Sequence, residues 1–195
     1  MNVLNKAKLR GKFEIKVTDG DGNKVKVFQP NFIVKKLIRE GLIHPKFHMR
    51  DWMKYVGFLF GRMSDSLIVD NLIPTAGKAG AAGRLNGFGS EAAFTYLEVG
   101  TGTTAAAAGD TALETPIVDS GLARASATVS LVTTSTTDDT AQLLKSWSVT
   151  GAKAITELGA LNAASAGILL GRQVFSAINV LDGWTLELTY KFQVS

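Results

Sequence analysis

Several residue sets have types and spacings that could do chemistry. Asp19, Asp21 and Asn23 alternate with glycine in DGDGN, the way an EF-hand calcium loop begins. Such a loop needs glycine at its sixth position and a bidentate glutamate at its twelfth; counted from Asp19, these are Lys24 and Pro30. The same five residues are strong turn formers, so a hairpin turn is the preferred reading and Asp19, Asp21 and Asn23 stand only as metal candidates. His44 and His48 are four apart, but Pro45 opposes a regular helix there and no cysteine can assist. A phosphate cradle at Gly100-Thr101-Gly102 would need a lysine after its last glycine or a helix opening on the turn, and neither is present. Glu157 is the one carboxylate of ITELG, and paired-carboxylate catalysis would require a partner the spacing does not supply. Its expected role is structural, bonding backbone amides, Arg124 or Arg172. With histidine only at 44 and 48, no motif supports a Ser-His-Asp arrangement. The sequence thus names no catalytic or cofactor-binding residue and calls for no cofactor.

The elements that position these residues are organised around Tyr96 to Pro116, YLEVGTGTTAAAAGDTALETP. Tyr96 to Val99 read as a strand, and Gly100-Thr101-Gly102 ends it because glycine tolerates positive φ. Asp110 precedes Thr111 to Glu114 as the acceptor of a short capped turn, which Pro116 stops.

Upstream, KFEIKV sets Phe13, Ile15 and Val17 on one face and KVKVF sets Val25 and Val27 on one face, predicting a β-hairpin through DGDGN. Asn31 can cap a helix reaching Glu40, with Ile33, Val34, Leu37 and Ile38 opposite Lys35, Lys36 and Arg39. The run from Arg50 to Phe60 is dense in aromatics, and Ser64 to Ser90, with GKAGAAGRLNGFG, reads as a long loop or arm. Downstream, strands are expected over 123–133, 140–150, 168–178 and 184–194. In the last, Trp184, Leu186, Leu188, Tyr190, Phe192 and Val194 alternate with polar residues, the pattern of a sheet with one wet side.

The predicted fold class is therefore mainly β: a C-terminal antiparallel β-sandwich, an N-terminal β-hairpin plus helix, and an extended Gly/Ala-rich arm. The expected divisions are a docking region at 1–63, a flexible arm at 64–93 and the sandwich at 94–195. At 46% hydrophobic over 195 residues the chain can bury a real core. Without cysteine it has no disulfide, and with no apolar leader or long apolar run it is expected to be soluble and neither secreted nor membrane-spanning. The net charge of +4 divides into +9 over Met1 to Arg62 and −5 over the remainder. Such a split suits complementary packing between subunits, with nucleic-acid contact by the basic third as another use. Interface candidates are Lys35, Lys36, Arg39, Arg50, Trp52, Tyr55, Phe58, Phe60, Arg62, Arg84 and Phe88, since aromatics and arginine concentrate at buried contacts.

The order DGDGN, NFIVKKLIREGL, YLEVGTGTTAAAAGDTALETP, ITELGALNAASAGILLGRQVF and NVLDGWTLELTYKF resembles structural proteins of tailed bacteriophages. It covers much of Phe13 to Val194 and weakens across His44 to Phe94. This chain has Ala160-Leu161 where the pattern carries an aromatic, and Trp184 where an acidic or polar residue is usual, which leaves the subtype open. The resemblance implies a non-enzymatic virion component, assembled in the host cytoplasm and touching other copies of itself and other virion proteins. A tail, baseplate or fibre-attachment position fits best, with a capsid decoration protein as the alternative.

Overall fold

The computed structural model describes residues 8–40, 42, 61–88 and 92–195. Eleven strands and two helices occur among them: β1 Leu9–Thr18, β2 Val27–Pro30, α1 Phe32–Arg39, β3 Gly61–Ser64, β4 Leu67–Asp70, α2 Thr75–Asn86, β5 Tyr96–Gly100, β6 Ala125–Ser126, β7 Thr128–Val132, β8 Thr140–Ser148, β9 Lys153–Leu161, β10 Leu169–Val180 and β11 Thr185–Val194. A five-stranded sheet runs β4-β1-β11-β8-β7, a four-stranded sheet β10-β9-β5-β6, and β2-β3 form a separate ribbon. All pairings are antiparallel, and the two larger sheets pack as a β-sandwich.

Alternation builds the inner face as expected. Phe13, Ile15 and Val17 lie in register with Tyr190, Leu188 and Leu186, and all six are buried. The Phe13 and Tyr190 rings meet with centroids 4.4 Å apart. Full burial of side chains of this size contributes about 1.5–3 kcal/mol each before entropy is charged against it. Trp147 is buried in the same core and donates its indole N–H to the Ala123 carbonyl at 2.9 Å.

The layers do not follow the divisions at residues 64 and 94. β1 pairs along its whole length with β11, so the first strand is an inner strand of the sandwich rather than part of a separate docking region. The DGDGN turn closes at the Thr18–Lys24 bridge, but the returning chain leaves after Val25 and β2 pairs with β3 instead. Asn31 caps α1 through its Oδ1, which accepts the Val34 N–H at 3.0 Å.

The Gly/Ala-rich stretch, expected as an extended arm, contains β4 and α2. Alanine favours helix, Gly87 ends it in the left-handed conformation at φ 70, and the buried Gly77 and Gly80 pack closely against the segment entering β10. Tertiary contact offsets the cost of glycine within a helix.

β9 was not among the expected strands because it is buried on both faces and does not alternate. Leu158 and Ala160 join the main core, while Leu161 meets Leu113 and Leu169 in a second cluster on the other face. The segment 100–116 covers that second face, adding a partial third layer. The single expected strand over 123–133 splits at Ala127, with β6 on one sheet and β7 on the other. Val129 and Leu131 are consequently exposed rather than core.

Candidate functional site

The segment after β5 is wrapped around one carboxylate. Glu157, fully buried on β9, accepts on Oε1 the N–H groups of Gly102 at 3.0 Å and Thr115 at 2.7 Å. On Oε2 it accepts the Glu114 N–H at 3.1 Å and Arg172 Nε at 2.9 Å, with Nη2 at 2.8 Å. Arg172 also donates to Asp110 Oδ2 at 2.8 Å and to the Thr104 carbonyl at 3.1 Å. Burial works against the guanidinium charge, but Asp110 and Glu157 more than offset it and raise its pKa above the ordinary arginine value. Thr156 adds a hydroxyl bond of 2.7 Å to the Gly102 carbonyl.

This geometry assigns Gly100 and Gly102 a reason different from positive φ. A methyl at either position would fall 2.5 Å or 2.4 Å from Glu157 Oε1, so the glycines are there for close approach of backbone to carboxylate. Asp110 does not cap the residues that follow it; it accepts the Ala107 N–H upstream at 2.9 Å and pairs with Arg172. Glu114 accepts the N–H groups of Thr103 at 2.7 Å and Thr104 at 2.8 Å. The Thr104 N–H, ahead of the other contacts, holds its carboxyl below the usual range. The set works as an internal fastening in which both Glu157 oxygens already hold donors.

A second pair, with its carboxylate buried and its guanidinium partly so, supports the adjacent strand. Arg124 grips Glu98 with Nε and Nη2 at 3.0 Å each, and its Nη1 donates to the Ala163 and Ala166 carbonyls. The expectation that Glu157 bonds backbone amides and Arg172 matches this geometry; Arg124 belongs to Glu98.

At the DGDGN turn, Asp19 Oδ1 accepts the Asp21 and Asn23 N–H groups at 3.0 and 2.8 Å, and Oδ2 accepts Asn23 Nδ2 at 3.3 Å. These bonds, the Asn23 N–H first, lower the Asp19 pKa. Asp19 thus spends its acceptors on the turn, and no group of three or more metal-ligating side chains occurs among the described residues.

The interface candidates divide by position. Lys35 reaches from α1 to the Ile68 carbonyl at 2.8 Å, and burial lowers its amine pKa. Lys36 lies 3.9 Å from Glu40 one turn on. Arg39 belongs to α1, Arg62 is exposed on β3, and Arg84 and Phe88 are exposed at the end of α2. Arg50, Trp52, Tyr55, Phe58 and Phe60, with His44 and His48, lie outside the described residues. Phe32, Met63, Leu85 and Phe88, at 79, 57, 90 and 80% exposure, are large apolar side chains that lie within four positions of these cations along the chain. A cavity of about 270 Å³ lies between α1, β4 and β10, lined by Phe32, Lys35, Asp70 and Phe175 among others. Sequence reasoning did not single out Met63 or Leu85; an apolar residue within a ribbon or a poorly amphipathic helix carries no periodic signal that it faces outward.

No protein-family model, curated protein or solved structure matches the chain. Among the described residues no helix is long and apolar enough to cross a membrane.

Proposed function

We propose that the chain is a non-enzymatic structural component of a bacteriophage virion, most simply a tail-associated assembly protein. The observation that carries this reading is four exposed large apolar side chains, Phe32, Met63, Leu85 and Phe88, each within four positions of an exposed basic residue (Lys36, Arg62 or Arg84), on a β body fastened internally by Glu157 and Arg172. Each such side chain left in water forgoes about 1.5–3 kcal/mol that a docked neighbour would recover. Aromatic and basic side chains together suit a protein contact, where such residues are enriched. The phage-like order of DGDGN, VGTGTT and ITELG motifs supplies the setting.

Imaging of intact particles at side-chain resolution tests the proposal. The expected result is density for this chain in the tail, with Phe88 and Leu85 against a neighbour. A copy number on the order of three to twelve would match tail symmetry, whereas on the order of hundreds would place it as a decoration protein on the shell. Particles that lack the chain altogether would refute the virion reading.

A further inference from the structure

The two large sheets have four edges, and three are occupied or too short to recruit a strand. At β4, the Gln29 carboxamide stands in for a backbone partner. Its Oε1 accepts the Ile68 N–H at 2.7 Å, its Nε2 donates to the Ile68 carbonyl at 3.1 Å, and Lys35 donates to the same carbonyl at 2.8 Å. At β10, Leu72 and Arg172 exchange two backbone hydrogen bonds of 3.0 Å each. α2 rides against the same strand, so close that a methyl on Gly77 would fall 2.7 Å from the Leu169 and Leu170 carbonyl oxygens. At the fourth strand of that sheet, β6 is two residues long.

β7 is different. Its sequence TVSLV contains no charge, proline or glycine, and it pairs with β8 on one side only. No backbone hydrogen bond reaches its outer side among the described residues. The register sets Val129 beside the buried Leu143 and Leu131 beside Ala141, on the face that turns toward the core. Yet Val129 is 55% and Leu131 64% exposed. β6, the short end strand of the opposite sheet, leaves that face uncovered. Sheet edges that remain unpaired are normally blunted by lysine, proline, bulges or covering segments, and among the described residues β7 has none of these.

We propose that β7 pairs antiparallel with β7 of a second copy, joining two five-stranded sheets into one across a two-fold axis at Ser130. This strand is complementary to itself. About Ser130, Val129 of one copy meets Leu131 of the other twice, on one face, and Thr128 meets Val132 on the opposite face with Ser130. Charge favours the same arrangement. Lys145 lies one residue beyond the Thr128 end of the β7–β8 ladder, and the exposed Asp138 lies beyond the Val132 end. An antiparallel copy sets the basic end beside the acidic one, whereas a parallel copy would oppose like ends. A second copy therefore fits this edge in pattern and in sign, independently of whether the protein resides in a virion.

The chain has no cysteine, so Ser130→Cys places a single thiol on the axis. Directly opposed residues in an antiparallel ladder have Cα atoms about 4.5–5.5 Å apart, within disulfide reach. Sedimentation of the purified full chain should show a monomer–dimer equilibrium. S130C should form a disulfide-linked dimer under mild oxidation well ahead of A152C, a control on the exposed turn between β8 and β9. S130K and S130E should each weaken dimerisation roughly fivefold or more through like-charge opposition, with circular dichroism unchanged, and mixing the two should restore it. A monomer at every concentration, meaning that the edge serves another occupant or none, would overturn the proposal. So would a dimer indifferent to S130K, or S130C linking no faster than A152C.

Discussion

Arg172 on β10 contacts Oε2 of Glu157 on β9 through two nitrogens, at 2.9 and 2.8 Å, while three backbone N–H groups of the 100–116 segment complete the carboxylate. A buried ion pair is weak evidence for stability by itself, because desolvation of both charges opposes their attraction. Here the same carboxylate also satisfies the amides of a segment with no regular secondary structure of its own. The pair fixes where that segment lies, and removing either member takes from the other its buried partner of opposite charge while leaving its remaining contacts, Asp110 for Arg172 and the backbone N–H groups for Glu157.

Glu157→Gln and Arg172→Met should each lower unfolding free energy by about 3–5 kcal/mol, the usual cost of breaking a buried ion pair by removing one partner. Urea denaturation measures it. The double variant should lose clearly less than the sum of the two, because the Glu157–Arg172 contact can be lost only once; simple additivity would show that the two residues act separately.

A methyl at Gly102 would fall 2.4 Å from Glu157 Oε1, and at Gly109 nothing lies within 4 Å. Gly102→Ala should therefore destabilise by about 1–3 kcal/mol through overpacking. Gly109→Ala should stay within about 0.5 kcal/mol of the parent. Equal effects in thermal melts would mean that the glycines matter only as flexible turn residues.

That contrast also marks where sequence is informative. Period-two apolar patterns in β1 and β11 were legible because one face of each looks into the core and the other outward. β9 was not legible, since a strand covered on both faces loses its alternation. α2 was obscured by glycines whose packing against β10 exists only in three dimensions. Val129 and Leu131 alternate correctly, yet nothing in the sequence shows that the opposite sheet stops short of them. Of the site, Glu157, its backbone amides and Arg172 could be named, but Asp110 as a further Arg172 partner could not. Arg172 and Asp110 are 62 positions apart, and no pattern along the chain encodes such a meeting.

Acid should weaken the fold. Glu114 is held below its ordinary pKa chiefly by the Thr104 N–H, Asp119 by Lys153, and Asp139 by the Ser135 hydroxyl. Between the lowered folded values and unfolded values near about 4, the unfolded chain binds more protons, so stability rises with pH across that window. The contribution is complete above the unfolded values and is lost as pH falls through the folded ones. Chemical denaturation midpoints should thus be flat from about pH 6 to 8 and decline below about pH 4, with a shallower decline in Asp139→Asn. Rising stability on acidification would contradict the assigned sign.

Phe88 and Leu85 project at the end of α2 with little contact to the body beneath them, at 80 and 90% exposure. Replacing both with serine removes apolar surface that the isolated fold does not bury, so unfolding free energy should change by no more than about 0.5 kcal/mol. If these side chains anchor the protein to a neighbour, the loss falls on docking, where truncation of a buried aromatic anchor costs about 2 kcal/mol or more, some thirtyfold in affinity. On the virion reading proposed above, phage carrying the double variant should therefore contain the protein in reduced amount by quantitative immunoblot, with the purified variant melting like the parent. Normal incorporation would remove the α2 tip from the assembly surface and leave the α1 and β3 cations to carry it. A variant that misfolds would instead show that the tip packs against its own chain.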